Sequence, residues 1–326
     1  MKINVIRGKI FKEINDMISV EMLNIFLNPG YCDNVFKKNK PALETPEMDH
    51  ILFQGHRVCY TKQGRGEPMV FFHNAGNDHR IWDAQVEYFS KQYEVYAVDS
   101  PGYGQSDRPD VDYTLSFYAD MVEAFIDGVG IKNPVIAGHC VGSAMSLHYT
   151  MKNPEKVKAL ILFSPATLEG LRQGVYGIYY RMTRSRHFNK WVAKALSCFT
   201  LPRWKTTLEI GKQYGETGDF DPGFYDYLLS LYKHPKQLGA LANLAMNFNS
   251  FAALDHFTNS DAFPPVFVLW GEQNKILPVQ AGEDFCWSAG PDRKEIIENC
   301  GHLVMREKPE EVNGMIEAFI EENSFP

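Results

Sequence analysis

The 326-residue chain is 44% hydrophobic and 22% charged, an ordinary globular balance with room for one large α/β domain and an insertion. Its net charge of −7 excludes the basic face that sequence-independent nucleic-acid binding requires. The six cysteines (Cys32, Cys59, Cys140, Cys198, Cys286, Cys300) show no C-x-x-C and no zinc-type spacing, so no metal site or disulfide framework is expected, and reduced thiols point to a cytoplasmic location.

Residues 1–48 form a helical leader and linker: Ile10, Ile14, Met17, Ile18, Ile25 and Phe26 recur at helical spacing before "NPGYCDN" and "KKNKPALETPE". Charges at Lys9, Lys12, Glu13, Asp16 and Glu21 interrupt the apolar core a secretion signal needs, and no apolar run is long enough to span a membrane. The leader is expected to pack on its own domain, with a membrane surface or a partner as alternatives. Residues 49–167 then alternate strand-like and helix-like segments, as a mostly parallel sheet requires. "ILFQGHRVCYTKQG" reads as an antiparallel pair turning at Gln54–His56. "PMVFFH", "YEVYAVD", "PVIAGH" and "VKALILFS" read as strands, with "RIWDAQVEYFS", "LSFYADMVEAFIDGVG" and "VGSAMSLHYTMKN" as helices between them. Residues 168–262 break this rhythm with helices dense in large aromatics and read as a cap. Residues 263–326 return to the core with the strands "PVFVLWG" and "KEIIENC" and a closing helix, "KPEEVNGMIEAFIEE".

Four short segments carry chemistry. In "GHCVG", Gly138 and Gly142 flank Cys140 at the spacing a sharp strand-to-helix turn needs, and the helix starting near Val141 aims free N–H groups at the sulfur. "HNAGND" follows an apolar strand and "PGYGQSD" follows the next. "VLWGEQNKILP" places Asn274 just past a strand, and "CGHLVM" places His302 after the last one. Together these resemble the capped α/β-hydrolases over about residues 50–322, among which a cysteine nucleophile is similar to dienelactone hydrolases and polyhydroxyalkanoate synthases. The resemblance implies an eight-stranded, mostly parallel sheet with a helical cap after the sixth strand. It also implies Cys140 as nucleophile, His302 as the triad histidine, and Asn274 at the acid position. An oxyanion hole would come from the backbone N–H of Val141 with that of Asn74 or Ala75. His73 and His139 are expected near substrate.

The chain departs from the family pattern twice, with Cys for Ser at 140 and Asn for Asp at 274. The two changes fit together: a thiol can exist as a thiolate–imidazolium pair before substrate arrives, leaving the third residue only to orient the ring through its amide oxygen. Glu272, Asp284 and Glu169 are the rival acids. A thiolate is a better leaving group than an alkoxide, so the expected substrate is a thioester, activated ester or β-dicarbonyl, cleaved through an acyl-Cys140 intermediate that passes to water or another acceptor. No cofactor is expected. Arg181, Arg184, Arg186, Lys190 and Lys194 offer a surface for coenzyme A or an acyl carrier protein, or a solvated helix face. The alternatives are a C–C bond hydrolase acting on β-dicarbonyls and a non-catalytic receptor on the same fold.

Overall fold

The computed structural model describes residues 48–184, 195–196, 200–216, 222–234 and 236–323. The expected leader therefore lies outside the described residues, except for Met48. Gln54 and Gly55 both take positive φ (50° and 82°), the geometry of a two-residue hairpin turn, and fold β1 (Asp49–Phe53) onto β2 (His56–Gly64). The remaining strands are β3 (Glu67–Phe72), β4 (Tyr93–Val98), β5 (Val135–His139), β6 (Ala159–Phe163), β7 (Val266–Gly271) and β8 (Arg293–Ile297). They form an eight-stranded sheet in the order β1-β2-β4-β3-β5-β6-β7-β8. Strand β2 is antiparallel to both its neighbours, and every pairing from β4 through β8 is parallel.

A parallel sheet covered on both faces needs strands that are apolar throughout, and β5, β6 and β7 are buried at every position. Alternate residues supply two core layers. Phe72, Ile136, Leu160 and Val268 pack with the helices Leu115–Val129 (α2) and Val141–Lys152 (α3). Phe71, Ala137, Ile161 and Phe267 pack on the other side with Asp83–Phe89 (α1) and the C-terminal helix Pro309–Glu322. The chain runs from β3 to β4 on one side and later from β3's other neighbour, β5, onward. The C-terminal ends of β3 and β5 thus flank the switch point where α/β sheets place their ligands.

Between β6 and β7 the described residues form the helices Leu168–Gln173 (α4), Gly177–Thr183 (α5), Arg203–Gly211 (α6), Pro222–Leu231 (α7) and Gln237–Met246 (α8), then a 3₁₀ segment Phe248–Leu254. Most of the aromatics here pack inward, including Tyr180, Phe224, Tyr232 and Phe248, and Trp204 is an exposed exception. The helices rest on the loop after β3. Gln237 Nε2 donates to the Gly76 carbonyl (3.0 Å), and the Tyr227 hydroxyl donates to the Asp78 carboxylate. The core resumes after β7 with Val279–Ala289 (α9), and Val304–Glu307 (α10) precedes the C-terminal helix (α11).

Beneath that loop lies a buried ion pair, His79 Nδ1 to Asp99 Oδ1 at 2.8 Å. Burial alone would lower the His79 pKa, but the Asp99 carboxylate outweighs it and raises the group to about 9. Burial would likewise raise Asp99, yet the His79 cation and hydrogen bond bring it down to about 2. The Asp99 contribution is present above its unfolded value of 3.8 and lost as pH falls through about 2. The His79 contribution is full below 6.5 and lost as pH rises through about 9. Asp99→Asn is therefore expected to cost about 3–5 kcal/mol in urea unfolding. The deficit is greatest between about pH 4 and 6.5 and shrinks as pH rises toward 9. A pH-independent deficit would show that the pair is not the source.

Candidate active site

Cys140 occupies a backbone conformation that an L-residue adopts only under constraint, φ 54° and ψ −107°. Its N–H donates to the Phe163 carbonyl (2.8 Å), while its carbonyl accepts from Ala144 and Ala166. The flanking glycines make the turn possible. A Cβ on Gly138 would lie 2.4 Å from the Gly142 backbone, and one on Gly142 would lie 2.2 Å from the Phe72 carbonyl oxygen. That second contact seats the start of α3 directly against the end of β3, with the His73 carbonyl oxygen 2.7 Å from the same Cβ position. The Val141 N–H is directed at the Cys140 sulfur.

The structure gives His73 a different task from the substrate contact expected of it. Its Nδ1 donates to the Asn74 carbonyl (2.7 Å) and its Nε2 accepts from the Ser100 N–H (2.9 Å), so both nitrogens serve to shape the loop. His139 is fully buried in β5, its ring centroid 4.3 Å from that of His302, and burial takes its pKa well below the usual value. Its ring packs against that of His302, and neither of its nitrogens has a hydrogen-bond partner.

Asn274 and His302 are brought together from separate loops. Gly271, at the end of β7, permits this, because a Cβ there would lie 1.9 Å from the Gly301 carbonyl oxygen. The Asn274 amide makes four hydrogen bonds, and their chemistry fixes which way it faces. Oδ1 accepts from the N–H groups of Ile276 and Leu277, each at 3.0 Å, and a backbone N–H can only donate. Nδ2 therefore faces Ser164 Oγ (3.1 Å) and His302 Nδ1 (3.0 Å), and it must donate to both. Reversing the amide would strip two N–H groups of their acceptor, at about 1–3 kcal/mol each. His302 Nδ1 is thus an acceptor, and the ring proton of the neutral imidazole sits on Nε2, a buried atom with no hydrogen-bond partner.

This corrects the expectation that the amide oxygen orients the ring. Burial pushes the Cys140 thiol up to about 12, against a small lowering by the Val141 N–H, and burial takes His302 down to about 3. Both shifts favour the neutral thiol and the neutral imidazole over the expected ion pair. The rival acids are engaged elsewhere. Glu272 accepts from the Asn299 N–H, Glu169 pairs with Arg172, and Asp284 accepts from Gln280.

Three supporting residues have no motif to announce them. Gln213 Oε1 accepts from Asn77 Nδ2 (3.1 Å) while its carbonyl accepts the N–H of His302 (2.7 Å), tying the cap to both the β3 loop and the histidine loop. Glu307 accepts from Gly301 (2.9 Å) and Gly215 (2.8 Å), holding the histidine loop from below. Ser164, at φ 44° after β6, supplies the acceptor for Asn274. Burial raises the Tyr176 hydroxyl of the cap well above its usual value.

A family profile described as the α/β-hydrolase fold matches residues 67–309. The chain belongs to that family and is an enzyme of the hydrolase class. It is 26% identical over 276 residues to (E)-2-((N-methylformamido)methylene)succinate hydrolase of Acinetobacter baylyi, covering 83% of this chain and 96% of that protein. It is 24% identical to 2-hydroxymuconate semialdehyde hydrolase of Pseudomonas putida, covering 86% of this chain and 96% of that protein. Among solved structures, an α/β-hydrolase-fold protein from Burkholderia ambifaria superposes with a TM-score of 0.69 at 20% identity, over 83% of this chain and 98% of the other. Among the described residues no helix is long and apolar enough to cross a membrane.

Proposed function

We propose that this enzyme cleaves an activated acyl compound through a covalent acyl-Cys140 intermediate. The observation that carries the reading is the strained Cys140 backbone at the N-terminus of α3, next to the Val141 N–H, where Gly142 packs on the Phe72 and His73 carbonyls at the end of β3. A tetrahedral intermediate on that sulfur would place its oxyanion among the N–H groups of Val141 and Asn74 or Ala75. His302, oriented by Asn274, is the histidine this reading assigns to the site. A thiolate leaves readily, so attack on an alkyl ester mostly reverses, whereas a thioester, an aryl ester or a β-dicarbonyl offers a competing leaving group. The acyl-cysteine then passes to water, or to an amine, alcohol or carbanion acceptor where the pocket holds one. A coenzyme A or carrier-protein donor would draw on the basic stretch of the cap. There Arg184 lies over the Tyr180 ring and Arg181 is exposed, while Arg186, Lys190 and Lys194 lie outside the described residues.

Intact-mass measurement after mixing with an aryl thioester, an aryl ester and a β-diketone of the same acyl group tests this. The expected result is an adduct of the acyl mass on wild-type protein, mapped to Cys140 and absent from Cys140→Ala, with turnover lost in that variant. Turnover persisting in folded Cys140→Ala would overturn the covalent role.

A further inference from the structure

Asn274 donates to His302, and that single hydrogen bond reverses the usual division of labour in a nucleophile–histidine pair. A histidine serves as base to a nucleophile only when a lone pair faces it, which requires the ring proton on the far nitrogen, accepted there by a carboxylate or carbonyl oxygen. Here the far nitrogen is occupied by an N–H donor. The near nitrogen, Nε2, therefore carries the proton. His139 is not hydrogen-bonded to Cys140, since neither of its ring nitrogens has a partner, and its ring packs on that of His302.

We propose that Asn274 is a positioning residue that holds His302 as the Nε2–H tautomer, a hydrogen-bond donor, and that the substrate is an enolised β-dicarbonyl which takes the Cys140 proton itself. This rests on the acyl-Cys140 reading and selects among its substrates. A thioester or aryl ester carries no atom basic enough to deprotonate a thiol, whereas the enolate of a β-dicarbonyl brings a carbon base of its own into the same desolvated site. The steps balance without a protein base. The enolate carbon takes the proton from Cys140, giving the diketone and a thiolate. The thiolate attacks one carbonyl, and the resulting oxyanion is held by the backbone N–H groups and by Nε2–H. Collapse breaks the C–C bond, forming acyl-Cys140 and releasing a ketone enolate, which takes a proton from water. The hydroxide left behind attacks the thioester carbonyl, the C–S bond breaks, and the carboxylic acid returns its proton to the sulfur. The sum is enolate plus water giving carboxylate plus ketone. The closed site suits this chemistry, since its own groups are neutral and the substrate brings the only charge that must move.

The test pairs a spectroscopic readout with a kinetic one, on the full chain. Long-range nitrogen–proton correlation spectra of protein labelled with nitrogen-15 histidine distinguish the two neutral tautomers, and a His302→Gln difference spectrum assigns the ring. The expected pattern is Nε2–H in wild type and Nδ1–H in Asn274→Asp. In kinetics, wild type is expected to favour a β-diketone over an aryl thioester of the same acyl group, and Asn274→Asp to move that ratio toward the thioester by at least about tenfold. An Nδ1–H pattern in wild type would overturn the inference, as would a preference for the thioester, and either leaves the acyl-Cys140 reading intact provided the adduct forms. Absence of the Cys140 adduct from every probe, with turnover persisting in Cys140→Ala, removes the covalent reading and the inference together.

Discussion

Asn274→Asp is expected to raise kcat/KM for an aryl thioester by about 10³–10⁴-fold, the reverse of what replacing a triad carboxylate by its amide costs. The substitution is isosteric and leaves no group without a partner. One carboxylate oxygen keeps the N–H groups of Ile276 and Leu277. The other accepts from His302 Nδ1–H, and the Ser164 hydroxyl rotates from acceptor to donor. An anion accepting several hydrogen bonds is stabilised even where it is buried. The ring proton then moves to Nδ1, a lone pair appears on Nε2, and the new negative charge raises the imidazole from its present value of about 3. An acid limb should accordingly appear in the pH–rate profile of the variant as His302 titrates. A folded Asn274→Asp protein with an unchanged rate and no new limb would show that the amide's orientation does not control the histidine.

The sheet and the sharp strand-to-helix turn at Cys140 were legible in the sequence because steric necessity leaves a mark there. Gly138 and Gly142 are required by contacts under 2.5 Å, and a fully covered parallel sheet demands the uninterrupted apolar runs of β5, β6 and β7. The pairing of Asn274 with His302 was legible from chain order alone. The facing of the amide was not, because it is decided by two backbone N–H groups, at Ile276 and Leu277, whose presence in nearly every residue makes them invisible as a pattern. The effect of burial on Cys140 is not legible in the sequence for a related reason. The helix N-terminus that lowers a thiol's pKa can be read from the motif, but the desolvation that raises it here to about 12 comes from cap and sheet closing around the sulfur. Gln213 and Glu307 carried no signal at all. They are single polar residues whose role exists only once the cap and the histidine loop meet.

The second large effect is an interaction between the two positions that depart from the family pattern. Cys140→Ser alone is expected to abolish turnover of a β-diketone, a loss of at least about 10⁴-fold. A hydroxyl is a far weaker acid than a thiol, and neither His302 in its Nε2–H form nor an enolised substrate removes its proton. Adding Asn274→Asp restores the proton path, since Nε2 then turns a lone pair toward the hydroxyl introduced at position 140, and the double variant should behave as a serine esterase. The coupling between the two substitutions would approach about 5 kcal/mol, because each step of tenfold in rate is about 1.4 kcal/mol. Simple multiplication of the two single-variant effects would instead mean that sulfur at 140 and amide at 274 act independently. On the present geometry they cannot, since the amide removes the base and the more acidic thiol is what tolerates its removal.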